Sequence, residues 1–419
     1  MKLRIKTLSP VHIGSGESYN KLSLLQDRQH QPIKLHYITF EALKEVFNQG
    51  QMQQFSEWII DQRFPDLSRF LRDELNDQNF RLSNILQRKA DYAIDLLFEE
   101  NHKQGQYLKP IEGFIKQNNK VYIPGSEIKG AIRTAVLYYL LRENNSLYND
   151  HLKQRIEDFG ERYKREIKEV RNKRLEKWMK EEKRIKQKML VPDMHKIEEN
   201  IQKRVFRCGK NDDAKYDLLK NLFVGDTDSK SPSESLFVSN LETLNINRRF
   251  DVFQELCKKG IEFTCQGFDL QNNDLILSKL GFSNEQRWVV KDRTHLLKCC
   301  YEFSKRLIEE EESYFDPEQC PQIARRLEEI KSQNKEDSPV IRIGKGEGYL
   351  SLTVGLLVKD RDKTLYNNVL IHATKNTSYT GNFPKTRRIV NIGKDTLGKD
   401  TFDTLGWVKL KKEEANGSN

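Results

Sequence analysis

One short segment of this chain combines a helix start with two regularly spaced cations. It reads Ile-Pro-Gly-Ser-Glu-Ile-Lys-Gly-Ala-Ile-Arg from residue 123 to residue 133. We predict that Ser126 is the N-cap of the helix, and that Lys129 and Arg133, four residues apart, lie on one helix face. Free backbone amides at a helix start, next to two cations, suit a phosphate group. The alternative is an ordinary capped helix whose two cations are only solvated.

A second segment alternates glycines with polar residues. Gly344, Gly346 and Gly348 permit positive φ angles and leave backbone amides open to a phosphate, while Arg342 and Lys345 add positive charge. A dinucleotide-binding fingerprint needs a different glycine spacing and a following helix, whereas the run after this loop predicts a β-strand. The segment is therefore either a phosphate-contacting loop or the turn of a β-hairpin.

A third group of cations lies near residue 386. Lys385, Arg387 and Arg388 are close in sequence to Tyr379 and Phe383, whose rings can stack on nucleic-acid bases. This pattern predicts an RNA-contacting loop, and a plain solvated loop is the alternative.

Residues for catalysis are few. His12 lies in the glycine-rich run Ser-Pro-Val-His-Ile-Gly-Ser-Gly and can serve as a general acid or base, but no partner for it is evident. Asp226 and Asp228 can hold a metal ion, although the further carboxylates of a calcium loop are missing. The six cysteines form no C-x-x-C pair, which argues against structural zinc. We therefore expect no metal and no cofactor.

Composition points to a basic protein with nucleic acid as its partner. The 419 residues carry a formal net charge of +10, and 37% of them are hydrophobic. The stretch 151–204 holds 18 lysines and arginines against 11 acidic residues, with sparse apolar residues at helical spacing. We interpret it as an inserted charged helical hairpin, or else as an arm that grips RNA or a protein partner. Without an apolar signal or membrane segment, a cytoplasmic location is expected.

The predicted elements mix helices and strands without a regular alternation, which favours an α+β fold. Strands are predicted at 1–8, 19–26, 33–38, 222–228, 234–241, 260–268 and 349–358, and mainly helices at 40–100 and 284–334. We predict one module over 1–270 and a second over 271–412. Residues 413–419 are predicted to be a disordered tail.

Taken together, these segments resemble the RAMP (repeat-associated mysterious protein) superfamily of CRISPR systems. The loop from residue 9 resembles the opening of the family, and the run from residue 122 is similar to its IPGS helix start. The runs Phe-Val-Gly-Asp from residue 223 and Gly-Lys-Gly-Glu-Gly-Tyr from residue 344 resemble its later motifs. The ending, Leu-Gly-Trp-Val-Lys-Leu from residue 405, is similar to one subunit of type III-A effector complexes.

The resemblance implies RRM-like (ferredoxin-like) modules with large helical insertions. It implies a non-catalytic subunit that binds crRNA, covers its 3′ region and aids its 3′-end maturation with recruited nucleases. Expected partners are the repeated backbone RAMP subunit and the small subunit, with target RNA nearby. Together with the charge pattern, it places RNA contacts at His12, Gly14, Ser126, Lys129, Arg133, Arg342, Gly344, Lys345, Gly346, Gly348, Lys385, Arg387 and Arg388.

Two enzymatic alternatives stay open. A metal-independent crRNA-processing endoribonuclease of the related Cas6 type also uses RRM-like modules, and it would need His12 as a general acid or base. A metal-dependent ribonuclease would use Asp226 and Asp228.

Overall fold

The first and last strands of the protein pair with each other in a small antiparallel sheet. The computed structural model describes residues 2–97, 110–171, 191–207, 213–244, 252–367, 384 and 386–413. The strands of the small sheet are β1 (Leu3–Thr7), β12 (Glu262–Cys265), β14 (Val340–Arg342) and β17 (Trp407–Lys412). Their order is β12-β1-β17-β14, with all neighbours antiparallel. The alternation of Leu3, Ile5 and Thr7, all fully buried, confirms the predicted first strand.

A larger sheet contains most of the other strands. They are β2 (Gly14–Tyr19), β3 (Leu24–Asp27), β4 (Ile33–Tyr37), β5 (Tyr92–Leu96), β6 (Ile111–Phe114), β10 (Leu236–Thr243), β11 (Val252–Cys257), β15 (Arg388–Lys394) and β16 (Asp400–Asp403). The order is β2-β6-β11-β10-β5-β4-β3, and β15 and β16 extend the sheet from β10. Two small pairs complete the strands: β7 (Lys116–Gln117) with β8 (Lys120–Val121), and β9 (Leu222–Val224) with β13 (Phe268–Leu270).

The larger sheet is curled. If it were flat, its outer strands β2 and β3 would lie about 29 Å apart at roughly 4.8 Å per strand. Yet Tyr19 ends β2 and Leu24 begins β3, and a connection of this length spans at most about 18 Å. The rings of Tyr19 in β2 and Tyr37 in β4 are only 4.9 Å apart between centroids. The sheet therefore bends until its two outer strands approach each other.

Helices cover these sheets and fill the insertions. They are α1 (Phe40–Val46), α2 (Gln49–Asp61), α3 (Leu67–Arg69), α4 (Arg81–Arg88), α5 (Gly125–Glu143), α6 (Gln154–Arg171), α7 (Val191–Phe206), α8 (Pro232–Ser235), α9 (Asp274–Lys279), α10 (Asn284–Val289), α11 (Arg293–Tyr314), α12 (Pro321–Gln333), α13 (Tyr349–Leu352) and α14 (Gly355–Arg361). Single 3₁₀- or π-helical turns occur at Lys21–Ser23, Phe70–Glu74, Leu147–Lys153 and Ala214–Tyr216. None of the helices within the described ranges is long and apolar enough to span a bilayer.

The two largest of four hydrophobic clusters hold most of the sheets and helices together. The main core joins both sheets to α5 and α11, with Ile132, Val136 and Leu307 fully buried. A separate core, centred on Phe55 and Phe70, holds helices α1 to α4 together against β3. These four helices therefore form a helical unit with its own core beside the edge of the larger sheet.

The α+β fold class is confirmed, whereas the RRM-like modules stay a prediction. The charged stretch is helical, as predicted, in α6 and α7, and residues 172–190 lie outside the described part of the chain. The division near residue 270 also stays a prediction, and the small sheet takes strands from both sides of it.

The predicted strand at 349–358 is wrong, because this run forms α13 and α14. The hydroxyls of Ser351 and Thr353 donate to the carbonyls of Glu347 and Tyr349, which keeps each turn closed. Gly355 leaves room for the Tyr349 ring, since a β-carbon there would lie 2.4 Å from the ring and would force it to shift.

Candidate nucleic-acid interface

The loop at residues 9–13 and the glycine-rich loop, residues 344–348, meet directly. The amide of Lys345 donates to the carbonyl of His12 at 2.7 Å. Gly344 adopts φ +84°, and a β-carbon on it would lie 2.3 Å from the same carbonyl oxygen. Only glycine meets both demands. Two segments that sequence analysis selected separately thus form one structural unit.

Two strands, β11 and β17, hold the N-terminal loop in place. Trp407 of β17 donates its amide to the Ser9 hydroxyl at 3.0 Å, and its carbonyl accepts from the amide of Leu8 at 2.8 Å. Val11 exchanges two backbone hydrogen bonds with Cys257 of β11, at 3.1 and 2.7 Å. The loop is consequently fixed before any ligand arrives.

The side chain of His12 lies inside the protein. It is 1% exposed, and its Nδ1 is 2.7 Å from the carbonyl oxygen of Glu255. Its Nε2 is 3.9 Å from Glu112 Oε2, and burial lowers the pKa of the imidazole. This placement argues against both predicted roles, since a buried ring reaches neither an RNA phosphate nor a scissile bond. What His12 contributes is its carbonyl, which positions the glycine-rich loop.

Lys345 is the exposed cation of the glycine-rich loop. Its side chain is 43% exposed, and its Nζ is 2.6 Å from Glu112 Oε1. Burial raises the pKa of Glu112, but hydrogen bonds from Lys345 and Gln254 outweigh this, so that the pKa lies below its usual value. An exposed pair of this kind is weak, and a phosphate can replace the carboxylate as the partner of Lys345.

The glycines after Lys345 lie beside a second exposed cation. Gly348 is exposed, whereas Gly346 is half-buried, and a β-carbon on it would lie 3.3 Å from Leu405 Cδ1. Gly346 and Gly348 have φ values of +100° and +79°, as the sequence predicts. The Cδ of exposed Arg388 is 3.9 Å from the β-carbon position of Gly346, and nothing lies within 4 Å of that of Gly348. Lys345 and Arg388 therefore flank a strip of bare backbone. Lys385, predicted to join them, lies outside the described residues.

Arg342 and Arg387, two predicted RNA contacts, point inward instead. They are 5% and 7% exposed, and both pair with Glu311 of α11, at 3.5 Å from Arg342 and 2.6 Å from Arg387. Arg342 also donates to the carbonyl of Leu405 at 2.9 Å. Arg342 and Arg387 use their donors inside the protein, where they hold the backbone next to the glycine-rich loop in place. This placement does not support a direct RNA contact by either arginine.

The start of α5 is capped differently from the prediction. The N-cap position is Pro124, and exposed Ser126 lies within the first turn without a capping hydrogen bond, so the predicted N-cap role of Ser126 is wrong. The amide of Gly125 instead donates to Asp226 Oδ1 at 2.8 Å. A β-carbon at Gly125 would lie 2.1 Å from the carbonyl of Val224, so the helix start packs tightly on β9.

Lys129 and Arg133 share a helix face, as predicted, but both have protein partners. The Nζ of Lys129 donates to the carbonyl of Leu222 at 2.7 Å, and burial lowers the pKa of its ammonium. Arg133 forms two hydrogen bonds to Asp217, at 3.0 and 2.8 Å, and lies 3.8 Å over the Phe206 ring. In this arrangement the two cations fasten α5 to its neighbours, and their contact with RNA stays a prediction.

One electrostatic interaction links α5 to the glycine-rich loop. Burial, together with the nearby carboxylate of Glu127 in the first turn of α5, raises the pKa of Glu347 to about 8, against the opposing effect of Arg342. At neutral pH Glu347 is therefore mostly uncharged, which removes a negative charge from the strip between Lys345 and Arg388.

The two candidate metal ligands, Asp226 and Asp228, accept hydrogen bonds from backbone amides. Asp226 caps α5, and Asp228 accepts from the amide of Thr264 at 2.6 Å and from Lys230 at 2.9 Å. In the described ranges, no group of three or more histidine, cysteine, aspartate or glutamate side chains is placed to hold a metal ion.

The acidic residues that organise this region gave no functional signal in the sequence. Glu112, Glu255 and Glu311 each engage a residue that the sequence did indicate, namely Lys345, His12 and the two buried arginines. Glu311 belongs to the acidic run 309–312, which was noticeable but carried no hint of its partners. Glu112 and Glu255 occupy ordinary strand positions and gave no signal.

Comparison with known proteins identifies the family. A model described as "RAMP superfamily" matches residues 4–326. Two curated relatives are both named "CRISPR system Cms protein Csm5". The relative from Methanocaldococcus jannaschii is 23% identical over 436 residues, which covers 98% of this chain and 88% of that protein. The relative from Streptococcus thermophilus is 27% identical over 165 residues, which covers 38% of this chain and 42% of that protein.

Two solved structures share the fold. A chain of a "Csm-crRNA-target RNA ternary complex in type III-A CRISPR-Cas system" superposes with a TM-score of 0.64 at 19% identity, covering 98% of this chain and 100% of the other. A "Crystal structure of T.onnurineus Csm5" gives a TM-score of 0.58 at 18% identity, covering 97% and 99%.

Proposed function

Because the chain belongs to the RAMP superfamily, we propose that it is the Csm5-type, non-catalytic crRNA-binding subunit of a type III-A CRISPR effector complex. In this role it covers the 3′ region of the crRNA and aids 3′-end maturation by recruited nucleases. Its partners are the repeated backbone RAMP subunit and the small subunit, with target RNA nearby. The names of the relatives and of the structural neighbours support this role.

One observation carries the proposal: the N-terminal loop and the glycine-rich loop converge on an open strip of backbone between Lys345 and Arg388. Backbone amides and flexible cations are the groups that contact phosphates without regard to sequence. A guide-binding subunit needs contacts of this kind, since each guide has a different sequence. We propose RNA contacts at Gly14, Ser126, Lys345, Gly346, Gly348 and Arg388, all of which are exposed or partly exposed.

The test is loading of crRNA into the reconstituted complex. Lys345→Gln combined with Arg388→Gln should reduce the crRNA recovered with the complex, or alter its 3′ length. The affinity of the purified protein for RNA should also depend less steeply on salt, by about 0.7 in the slope of log K per lost phosphate contact.

Glu112 supplies a matched control. Glu112→Gln breaks the same ion pair as Lys345→Gln, yet it removes a negative charge from the site. If the two side chains matter only to stability, both variants should behave alike. If Lys345 binds phosphate, Glu112→Gln should strengthen RNA binding and Lys345→Gln should weaken it. If the variant with both Lys345→Gln and Arg388→Gln loads as much crRNA as the unmodified protein, the site is rejected.

The endonuclease alternative has a direct assay. Purified protein is incubated with repeat RNA in EDTA, and separately with Mg²⁺ or Mn²⁺. We expect no specific cleavage in either case, because His12 is buried and both aspartates are engaged with the backbone. Cleavage in EDTA that is lost in His12→Ala would establish the Cas6-type activity. Cleavage only with metal, lost in Asp226→Asn, would establish the metal-dependent one.

A further inference from the structure

A groove lies between strand β3 of the larger sheet and helices α3 and α4 of the helical unit. It encloses about 550 Å³, which falls within the range of pockets that hold a ligand of nucleotide size. One wall is β3 with the turn that follows it, and the other wall is formed by α3 and α4 with the turn that precedes α4. The residues that line this groove are distinct from those of the two converging loops.

The mouth of the groove presents cations. Arg69 and Arg72 have side chains that are 56% and 66% exposed, and both share a single carboxylate, that of Asp73, at 3.5 and 2.7 Å. Exposed Arg28 lies on the opposite wall and donates to Gln26 Oε1 at 3.1 and 3.3 Å. Surface contacts of this type are weak, so an incoming phosphate can displace them.

The acidic residues of the groove face the backbone. Buried Asp77 accepts from the amides of Leu82 and Ser83 at 3.0 and 2.9 Å. Asp66 accepts from the amides that begin α3, and Asp27 accepts from the amide of Gln29 at 2.9 Å. Asp66 also pairs with Lys21 at 3.5 Å, and Asp27 with His30 at 2.9 Å. The groove thus carries carboxylates on its walls, whereas the exposed side chains of Arg28, Arg69 and Arg72 offer guanidinium donors at its mouth.

An aromatic ring is held at the rim in a strained conformation. Phe80 has φ +54° and ψ +24°, a region that bulky residues rarely occupy, and its side chain is 64% exposed. The turn is fixed on both sides, since the amide of Phe80 donates to Asp77 and its carbonyl accepts from Asn84, at 3.1 and 2.9 Å. Strain that is retained together with an exposed apolar ring indicates a functional contact.

We propose that this groove binds single-stranded RNA, with a phosphate between Arg28, Arg69 and Arg72 and a base stacked on Phe80. Arginine–phosphate contacts and base stacking on aromatic rings together define a sequence-tolerant single-strand site. An acidic protein segment would also use the arginines, but RNA supplies a phosphate and a stacking base in every nucleotide, which favours RNA as the occupant. This proposal rests on the proposed RNA-binding function and adds a second subsite to it.

The two subsites lie within reach of one strand. Lys21, on the groove wall, is seven residues from Gly14 in the interface. A chain of that length spans at most about 25 Å, or about seven nucleotides at a rise of 3.4 Å. An RNA strand that passes Lys345 can therefore continue into the groove.

The experiment measures binding of the full-length protein to a fluorescent 20-nucleotide RNA of mixed sequence at several salt concentrations. Phe80→Leu should lower the affinity about tenfold, as the loss of one stacked base predicts. Arg72→Gln should reduce the slope of log K against log salt by about 0.7. Photocrosslinking with 5-bromouracil RNA, read by mass spectrometry, should label the peptide that contains Phe80.

Matched controls lie on the same helical unit. Phe64→Leu alters another exposed phenylalanine, 48% exposed, outside the groove, and Arg88→Gln alters an exposed arginine at the end of α4. Both should bind RNA like the unmodified protein. Unchanged affinity in Phe80→Leu and Arg72→Gln, while Lys345→Gln still weakens binding, would reject the groove and leave the proposed function intact. Protection of the groove by a protein partner but not by RNA would reject it too, and absence of any RNA binding would overturn both proposals.

Discussion

Lys116 and Glu255 form an ion pair inside the curled sheet, where their side chains are 8% and 0% exposed. Glu255 also accepts from the Tyr92 hydroxyl at 2.9 Å and from the amide of Phe114 at 2.7 Å. The carboxylate thus ties β11 to β5, β6 and β7, next to the carbonyl that holds the His12 ring.

Removal of one partner of this pair should destabilise the protein strongly. Lys116→Met leaves a buried carboxylate without its cation, and we expect the free energy of unfolding to fall by about 3–5 kcal/mol. Lys89 and Glu45 form an exposed pair at 2.7 Å, so Lys89→Met should change the stability by less than about 1 kcal/mol. Urea denaturation followed by circular dichroism measures both. Equal effects of the two substitutions would contradict the importance of the buried pair.

Gly344→Ala should disrupt the interface more than its backbone angle alone requires. The added β-carbon would lie 2.3 Å from the carbonyl of His12, so the two loops must separate. Gly16 has a similar φ of +82° with nothing within 4 Å, so Gly16→Ala should lose only about 1–2 kcal/mol for the backbone conformation. RNA affinity and the melting temperature should both fall further in Gly344→Ala than in Gly16→Ala. If the two variants prove indistinguishable, the contact between the loops is not the constraint.

RNA binding should weaken as the pH rises through about 8. Glu347 titrates there because burial and Glu127 raise its pKa, and its ionisation places a negative charge beside Lys345. The free energy of unfolding should fall in the same direction. The folded state holds the Glu347 proton up to about pH 8, whereas the unfolded chain releases it near pH 4.5. The protein therefore loses stability as the pH rises from about 4.5 to about 8. Glu347→Gln should flatten both profiles. Identical pH profiles for the variant and the unmodified protein would show that Glu347 is not the titrating group.

Substitution at Asp217 distinguishes two roles of Arg133. If Arg133 only fastens α5 through its pair with Asp217, then Arg133→Gln and Asp217→Asn should each reduce crRNA loading only in proportion to the loss of thermal stability. If Arg133 also binds RNA, only Arg133→Gln should impair loading beyond its effect on stability. The measurement is crRNA recovered per complex, compared with the melting temperature of each variant.

Signals that could be found in the sequence were local ones. The positive φ angles of Gly344, Gly346 and Gly348 are confirmed, because alternating glycines in a polar run are typical of a backbone that other residues cannot adopt. The shared face of Lys129 and Arg133 is confirmed for the same reason, since helix spacing is short-range.

Partner choice was beyond sequence reasoning, because it depends on contacts between distant segments. Nothing near Arg342 or Arg387 in the sequence indicates that Glu311 lies between them, at separations of 31 and 76 residues. A cation in a glycine-rich or basic run therefore looks the same whether it is buried or exposed. The structure separates Lys345 and Arg388, which remain on the surface, from the two arginines beneath them.

The junction of the N-terminal loop with the glycine-rich loop also sets the order of events during synthesis. Residues 9–13 leave the ribosome well before the groups that fix them, because Gly344, Lys345 and Trp407 follow more than 300 residues later in the sequence. At about 5–20 residues per second, the N-terminal loop waits roughly 20–80 seconds for its neighbours. Contacts between such distant segments also form slowly. A nascent chain therefore lacks the assembled interface until Trp407 has been translated, which keeps shorter nascent chains from capturing guide RNA there.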